Sequence, residues 1–303
     1  MRWQYLVLFL AFGYFFLKYP NFRILVTNPF KDVYYFFRDA YFYIAHKEYN
    51  NCKTGEMVAF TGLFGKGKTL SAVHYIMHLY RAFNNRLVWD KETESFVTQK
   101  VHIISNVQLL QVDNFEYLEN LSQIVQEAQV NKDFDRENKT RTILIVLIDE
   151  ASVQLNSRSF KNNINADFLN TLLTSRHYHM SMFYTSQRFN LTDKLLRDVT
   201  QQVVDCNKFW RLQGQKVYDA YELENAGNPE NVAPIRKTGF FVRNRDYEAY
   251  DTLAVVSKLN KAFTEDDFIS DSEILLLRNP SVASDGSGED VKGFGKLLQN
   301  IRN

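Results

Sequence analysis

Hydrophobic residues are spaced in three different ways along this chain, and each spacing predicts a different kind of element. Trp3 to Leu17 reads WQYLVLFLAFGYFFL without a charge, flanked by Arg2 and Lys18. About 15 apolar residues make a helix of about 22 Å, against a hydrocarbon core of ~30 Å. Trp3, Tyr5 and Tyr14 suit a membrane interface, and Arg2 and Lys18 are long enough to snorkel. No A-x-A-like cleavage site follows, which argues against a signal peptide. The pattern therefore predicts a membrane anchor helix over residues 1–20 rather than a buried core helix. The positive charges Lys18, Arg23, Lys31, Arg38, Lys47 and Lys53 predict that the chain after it is cytoplasmic. A second aromatic stretch, Val33 to Ala45, carries Arg38 and Asp39 at its centre, which makes it a poor spanning segment. Within the linker 21–53 it reads either as an interfacial helix or as an interaction helix for the rest of the chain or a neighbouring subunit.

From residue 54 the pattern changes to short apolar runs alternating with amphipathic stretches. Met57–Thr61 reads as a strand and Leu70–Tyr80 as a helix. Arg86–Trp89 and Phe96–Thr98 flank the polar turn Asp90-Lys91-Glu92 and read as an inserted β-hairpin. Val101–Asn106 reads as a buried strand. Tyr117–Val130 has helical spacing at Leu118, Leu121, Ile124, Val125 and Ala128, and polar Asn131–Arg141 reads as a loop. Ile143–Ile148 is continuously apolar, as a central parallel strand covered on both faces would be. Phe168–Ser175 reads as a helix, Met180–Gln187 as a strand and Leu191–Asp198 as a short helix. Strands are expected around Val203–Trp210, Lys216–Leu223 and Gly239–Arg243. This alternation predicts an α/β doubly wound domain over residues 54–250, with a mainly parallel central sheet. A C-terminal helix and a tail are expected over 251–303, with Ser, Gly and Asp frequent between Pro280 and Gly295.

Composition narrows the classes. Hydrophobic residues make up 45% of the 303, enough for a sizeable core, and the net charge is only +1. The whole chain lacks the basic excess of a general nucleic-acid binder, so contact with DNA requires a local patch. Cys52 and Cys206 have neither metal nor redox spacing and read as reduced thiols. His177 and His179 lack a third ligand for a metal.

The chemistry concentrates in Gly62-Leu63-Phe64-Gly65-Lys66-Gly67-Lys68-Thr69, which is G-x-x-x-x-G-K-T between a strand and a helix. In such a P-loop, glycines let backbone N–H groups wrap a polyphosphate, and the helix start faces the anion. The predicted ATP-binding set is Gly62, Gly65, Lys66, Gly67, Lys68, Thr69 and Leu70. Lys68 would reach the β- and γ-phosphates, and Thr69 would bind Mg²⁺. Asp149-Glu150, at the end of an apolar strand, reads as Walker B. Asp149 is then the second Mg²⁺ residue and Glu150 the group that orients or deprotonates water. The strand end Thr185-Ser186-Gln187 offers Ser186 and Gln187 to the γ-phosphate or the water. Arg176, Arg188 and Arg197 are candidates for an arginine supplied to a neighbouring subunit, with Arg176 placed first. The D-x-x-G and N-K-x-D signatures of GTPase switches are absent.

The succession of G-x-x-x-x-G-K-T, an inserted hairpin, Ile148-Asp149-Glu150-Ala151, Arg176-His177, Thr185-Ser186-Gln187 and Arg197 resembles the zonula occludens toxin-like ATPases of filamentous phages, within the FtsK–HerA group. The likeness covers roughly residues 55 to 210. It implies ATP hydrolysis by a homo-oligomeric ring at the host inner (cytoplasmic) membrane, single-pass, with the ATPase domain cytoplasmic. It also implies single-stranded or viral DNA and phage coat or assembly proteins as partners. That family's membrane segment follows the ATPase domain, whereas here the hydrophobic segment comes first. A DNA-packaging or conjugative translocase fits the same motifs, and so does a nucleotide-controlled membrane scaffold without turnover. A small-molecule kinase, which would need an arginine-bearing lid and an acceptor pocket, is less well matched, because the long strand ending in Asp149-Glu150 and the hydrophobic segment argue against it.

Overall fold

A computed structural model describes residues 2–91, 93–151, 166–228 and 231–251, all within the compact unit Met1–Asp251. The helix and tail expected over 251–303 lie outside the described residues, Asp251 apart.

Three helices come first: α1 (Arg2–Lys18), α2 (Pro20–Thr27) and α3 (Pro29–Ala45). Tyr19 interrupts the apolar run. It precedes a proline and is extended, at φ −114° and ψ 103°, as the clash with the proline ring requires. Pro20 then opens α2, where its missing N–H costs nothing. α1 covers the apolar run Trp3–Leu17 expected as a helix, but it does not have the length of a spanning one. α1 stops at 17 residues, about 26 Å, and among the described residues no helix is long and apolar enough to cross a membrane. Its rings remain open to solvent, with Trp3 80% and Phe9 75% exposed. α3 buries no residue, and Phe30 on it is 90% exposed. Beyond α3, His46 stacks on Trp89 with centroids 4.4 Å apart, which ties the helices to the sheet.

The main sheet has nine strands in the order β10-β9-β8-β1-β7-β6-β3-β2, with β5 pairing β3. Their ranges are β1 (Met57–Thr61), β2 (Arg86–Asp90), β3 (Ser95–Ser105), β5 (Phe115–Tyr117), β6 (Thr140–Ile148), β7 (Met180–Ser186), β8 (Gln202–Phe209), β9 (Leu212–Asp219) and β10 (Arg236–Phe241). The centre, β8-β1-β7-β6-β3-β5, is parallel, and β2, β9 and β10 are antiparallel edges. A two-stranded ladder joins β4 (Gln108–Leu109) to β11 (Tyr250–Asp251).

Helices cover both faces, as the unbroken apolar run of β6 requires. α4 (Lys68–Phe83) packs Ala72, Val73, Ile76 and Met77 against Val58, Phe60, Ile145 and Leu147. The other face receives α5 (Leu121–Asn138), α6 (Ala166–Leu173) and α7 (Lys194–Val199). There Ile124, Ala128, Phe168, Leu172 and Leu196 meet Ala59, Val146, Ile148 and Tyr184. Ile143 to Ile148 are all fully buried, and each such side chain is worth about 1.5–3 kcal/mol of transfer free energy.

Several expected boundaries shift: the strand expected over Lys216–Leu223 runs from Leu212 to Asp219 and gives way to a helical turn, and the helix expected from Tyr117 starts at Leu121. The second hairpin strand and the strand after it are one strand, β3, whose first half pairs β2 and whose second half pairs β5 and β6. α5 also runs on to Asn138, through residues expected to be a loop. Asn120 caps it by accepting from the Gln123 N–H at 2.9 Å, and Lys139 ends it in the left-handed conformation at φ 52°. Asn131, within that stretch, bonds to the ring of buried His102. His177 and His179 precede β7, in a 3-10 turn and its left-handed cap.

Candidate nucleotide site

Parallel strands bring their C-terminal ends to one edge, and chemistry in such sheets collects there. β1 delivers Gly62, β6 delivers Asp149, β7 delivers Thr185 and Ser186, and β3 is followed by Asn106.

The loop after β1 takes the shape its glycines allow. Gly62, Gly65 and Gly67 have φ of 148°, 73° and 78°, values that side chains other than glycine's disfavour. Gly67 is the cap of α4, so the N–H groups of Lys68, Thr69 and Leu70 form the open helix start. A Cβ on Gly67 would collide with the Gln213 amide of β9, and one on Gly62 would come within 2.8 Å of the Cys206 carbonyl oxygen of β8. Gln213 also donates from Nε2 to the Lys66 carbonyl at 3.1 Å, and Lys66 Nζ donates to Asn207 Oδ1 at 2.9 Å. The β8–β9 hairpin thus backs the loop. Lys68 is only 7% exposed, its Nζ lies 5.5 Å from the Phe64 ring centroid, and no carboxylate pairs with it among the described residues. A buried ammonium calls for an anion, and a phosphate fits.

Asp149 is the meeting point of the site. Its Oδ1 accepts from Thr69 Oγ1 at 2.8 Å and from Thr185 Oγ1 at 2.7 Å. Its peptide is clamped by Asn106, which accepts from the Asp149 N–H at 2.7 Å and donates to the Asp149 carbonyl at 2.9 Å. Glu150 follows in the left-handed region at φ 54°, and its N–H donates to Thr185 Oγ1 at 2.9 Å. One threonine hydroxyl therefore fixes both acids. Tyr250 of β11 lies close enough to feel Asp149: burial and that carboxylate push its phenol up to about 12. Burial also raises Asp205 of β8, opposed by Lys216 and Lys66. A carboxylate and a hydroxyl 2.8 Å apart, from two different elements, are the hard oxygen donors that Mg²⁺ takes when most of its shell is water and phosphate.

The remaining candidates divide. Gln187 follows the end of β7, half-buried, one residue beyond the Ser186 that pairs Thr61 of β1. Ser186 is turned away, its hydroxyl donating to the Arg188 carbonyl at 2.8 Å. Arg197 is engaged by Glu224 at 3.0 Å and by the carbonyls of Asn190 and Thr192. Arg176 lies over Gly55, before the start of β1 and at the opposite end of the strands from the P-loop. A five-residue strand spans about 17 Å, so Arg176 does not reach the phosphate cradle of its own chain. Asn106, Asn207 and Gln213 were not indicated by any motif. A polar residue directly after the apolar run of β3 was the one available signal for Asn106.

Fold and site together define a P-loop NTPase. No protein-family model matches the chain, and no curated protein sequence does. Several solved structures are similar to part of the chain. The N-terminal domain of zonular occludens toxin from Neisseria meningitidis is 18% identical, with a TM-score of 0.42 over 66% of this chain and 100% of that one. The genome packaging NTPase B204 from Sulfolobus turreted icosahedral virus 2, in complex with ATP-gammaS, is 11% identical, with a TM-score of 0.38 over 62% and 93%. EssC (ATPases 2 and 3) from Geobacillus thermodenitrificans is 13% identical, with a TM-score of 0.38 over 68% of this chain and 43% of that one.

Proposed function

We propose that this chain is a magnesium-dependent ATP hydrolase that works as a membrane-associated ring and moves viral single-stranded DNA during particle assembly and export. The convergence of Thr69 and Thr185 on Asp149, with Glu150 held by the same Thr185 hydroxyl and a buried, anion-seeking Lys68 in the P-loop, carries the hydrolytic part of the proposal. In it, the helix-start N–H groups and Lys68 hold the phosphates, and Thr69 and Asp149 hold Mg²⁺, which offsets charge on the phosphate oxygens. Glu150, locked by Thr185, orients water and accepts its proton, and Gln187 contacts the same water from the neighbouring strand. Arg176, at the far end of the strands, serves the site of the next subunit.

Membrane association is assigned to α1–α3, whose exposed rings and flanking cations suit a bilayer interface. The test is phosphate release by the full chain in lipid vesicles, with and without single-stranded DNA. Turnover that rises with DNA supports the motor reading, and turnover near zero in both conditions supports a scaffold instead.

A further inference from the structure

The sheet edge beside the P-loop carries a surface that the nucleotide chemistry does not use. β8 and β9 meet at a tight turn in which Trp210 is left-handed, at φ 53°. Strand register sets Phe209 opposite Leu212, and Leu212 opposite Phe241, so the three share one face. Phe209 is 78% and Trp210 72% exposed. The Trp210 ring meets Phe241 edge-on at 6.0 Å. Lys208 donates to the Tyr247 hydroxyl at 2.9 Å, and Lys208 and Arg211 lie 4.9 and 5.8 Å from that ring's centroid.

Charge is concentrated at the same place. Residues 206–217 and 235–245 carry seven Lys and Arg and no Asp or Glu, in a chain whose net charge is +1. The bordering acids are withdrawn: Asp205 is half-buried, and Asp246 is buried against His74. Arg236, Lys237, Arg243 and Arg245 are exposed, and β10 pairs only with β9 among the described residues. Exposed aromatic faces interleaved with cations complement a ligand that has flat apolar faces on a polyanionic backbone. Unpaired bases offer those faces, whereas duplex DNA keeps them stacked inside and would match the charge alone.

We propose that the β8–β9 hairpin with β10 is a binding site for single-stranded nucleic acid, with bases stacking on Phe209, Trp210 and Phe241 and phosphates pairing with Lys237, which shares the Phe241 face of β10, and with Arg243 just beyond it. The hairpin also reaches the P-loop directly. Asn207 accepts from Lys66, and Gln213 holds the Lys66 carbonyl while its own buried Oε1 has no hydrogen-bond partner among the described residues. A strand bound at the hairpin tip and a nucleotide bound at the loop therefore act on the same short segment. The site deepens the DNA-handling part of the proposed function, but binding itself requires no hydrolysis.

The experiment titrates fluorescent oligo-dT with the full chain, without nucleotide, over a range of salt. Phe209→Ser with Trp210→Asn is expected to weaken binding about tenfold or more and to leave the salt slope unchanged. Asn tolerates the left-handed position. Lys237→Gln with Arg243→Gln, two exposed changes, is expected to flatten the slope of log K against log salt by about 1.4. DNA-free ATP hydrolysis is expected to stay at the wild-type level in both variants. The inference is overturned if wild type fails to bind oligo-dT at low salt, or if the aromatic variant binds as wild type does. It is equally overturned if that variant keeps its affinity but sediments as a smaller species, which would make the face a protein interface. Loss of hydrolysis in wild type with oligo-dT binding intact would count against the proposed function and not against this site.

Discussion

Two threonine hydroxyls, Thr69 from the start of α4 and Thr185 from β7, meet on one oxygen of Asp149, and this defines the site at the scale of single residues. Thr185 is fully buried and holds the Glu150 peptide in a left-handed conformation that otherwise costs about 1–2 kcal/mol. Thr185→Val keeps the shape, removes the hydroxyl and leaves a buried N–H unpaired. Phosphate release should fall about tenfold to a hundredfold while ATP affinity stays within a few-fold, and Thr185→Ser should restore most of the rate. The P-loop and Asp149-Glu150 were legible because their chemistry lies in adjacent residues. Thr185 was read as part of a strand end, but its neighbours Ser186 and Gln187 were preferred, since which hydroxyl faces Asp149 depends on strand register. Asn106, Asn207 and Gln213 act across 43, 141 and 147 positions of chain, and no local pattern carries that pairing.

The two thiols make a second residue-scale prediction. Burial pushes Cys52 up to about 12 and Cys206 up to about 11, from an ordinary 9.0. A folded-state value above the unfolded one favours the protonated form in the fold. Stability from this source is therefore complete below about pH 9 and is lost as pH rises through 11 and 12. Native protein at pH 8 should react with a thiol reagent far more slowly than denatured protein. The urea midpoint should fall between pH 9 and 11, by less in Cys206→Ala than in wild type.

At the scale of elements, hydrophobic period decided what could be read. β6 was clear because continuous apolarity over Ile143–Ile148 demands cover on both faces, and α4 and α5 supply it. β3 was divided in the reading because Gln99 and Lys100 interrupt its apolar pattern. In the fold the Gln99 side chain is fully buried, donating to the Asn50 and Phe83 carbonyls and accepting from the Cys52 N–H. The end of α5 was hidden for a similar reason. Its polar last turns are held by Asn131 on His102 and by a Lys139 cap, which are tertiary and backbone features rather than periodicity. Asn120→Ala should cost about 1 kcal/mol at the start of this helix, visible as a lower melting temperature with nucleotide affinity unchanged.

At the scale of the whole molecule, one end of the parallel strands forms the nucleotide cradle and the other end presents Arg176. If Arg176 serves a neighbouring site, Arg176→Ala and Lys68→Ala should each be inactive alone. Mixed before assembly, they should recover part of the wild-type rate, because some interfaces then combine an intact P-loop with an intact arginine. Recovery in the mixture, measured as phosphate release against the mixing ratio, is a property of the assembly and not of either variant. The N-terminal helices belong to this scale as well. Their apolar side chains are largely unburied within one chain, and α1 covers unbroken the apolar run Trp3–Leu17 read as the anchor.

The central claim is that Lys68, Thr69, Asp149 and Glu150 form a hydrolytic Mg-ATP site. It is tested most directly by measuring ATP binding and phosphate release side by side in wild type and Glu150→Gln, with magnesium present. The account predicts that wild type turns over, and that the variant binds ATP at least as tightly while its turnover falls a hundredfold or more. A variant that hydrolyses ATP at the wild-type rate would contradict it.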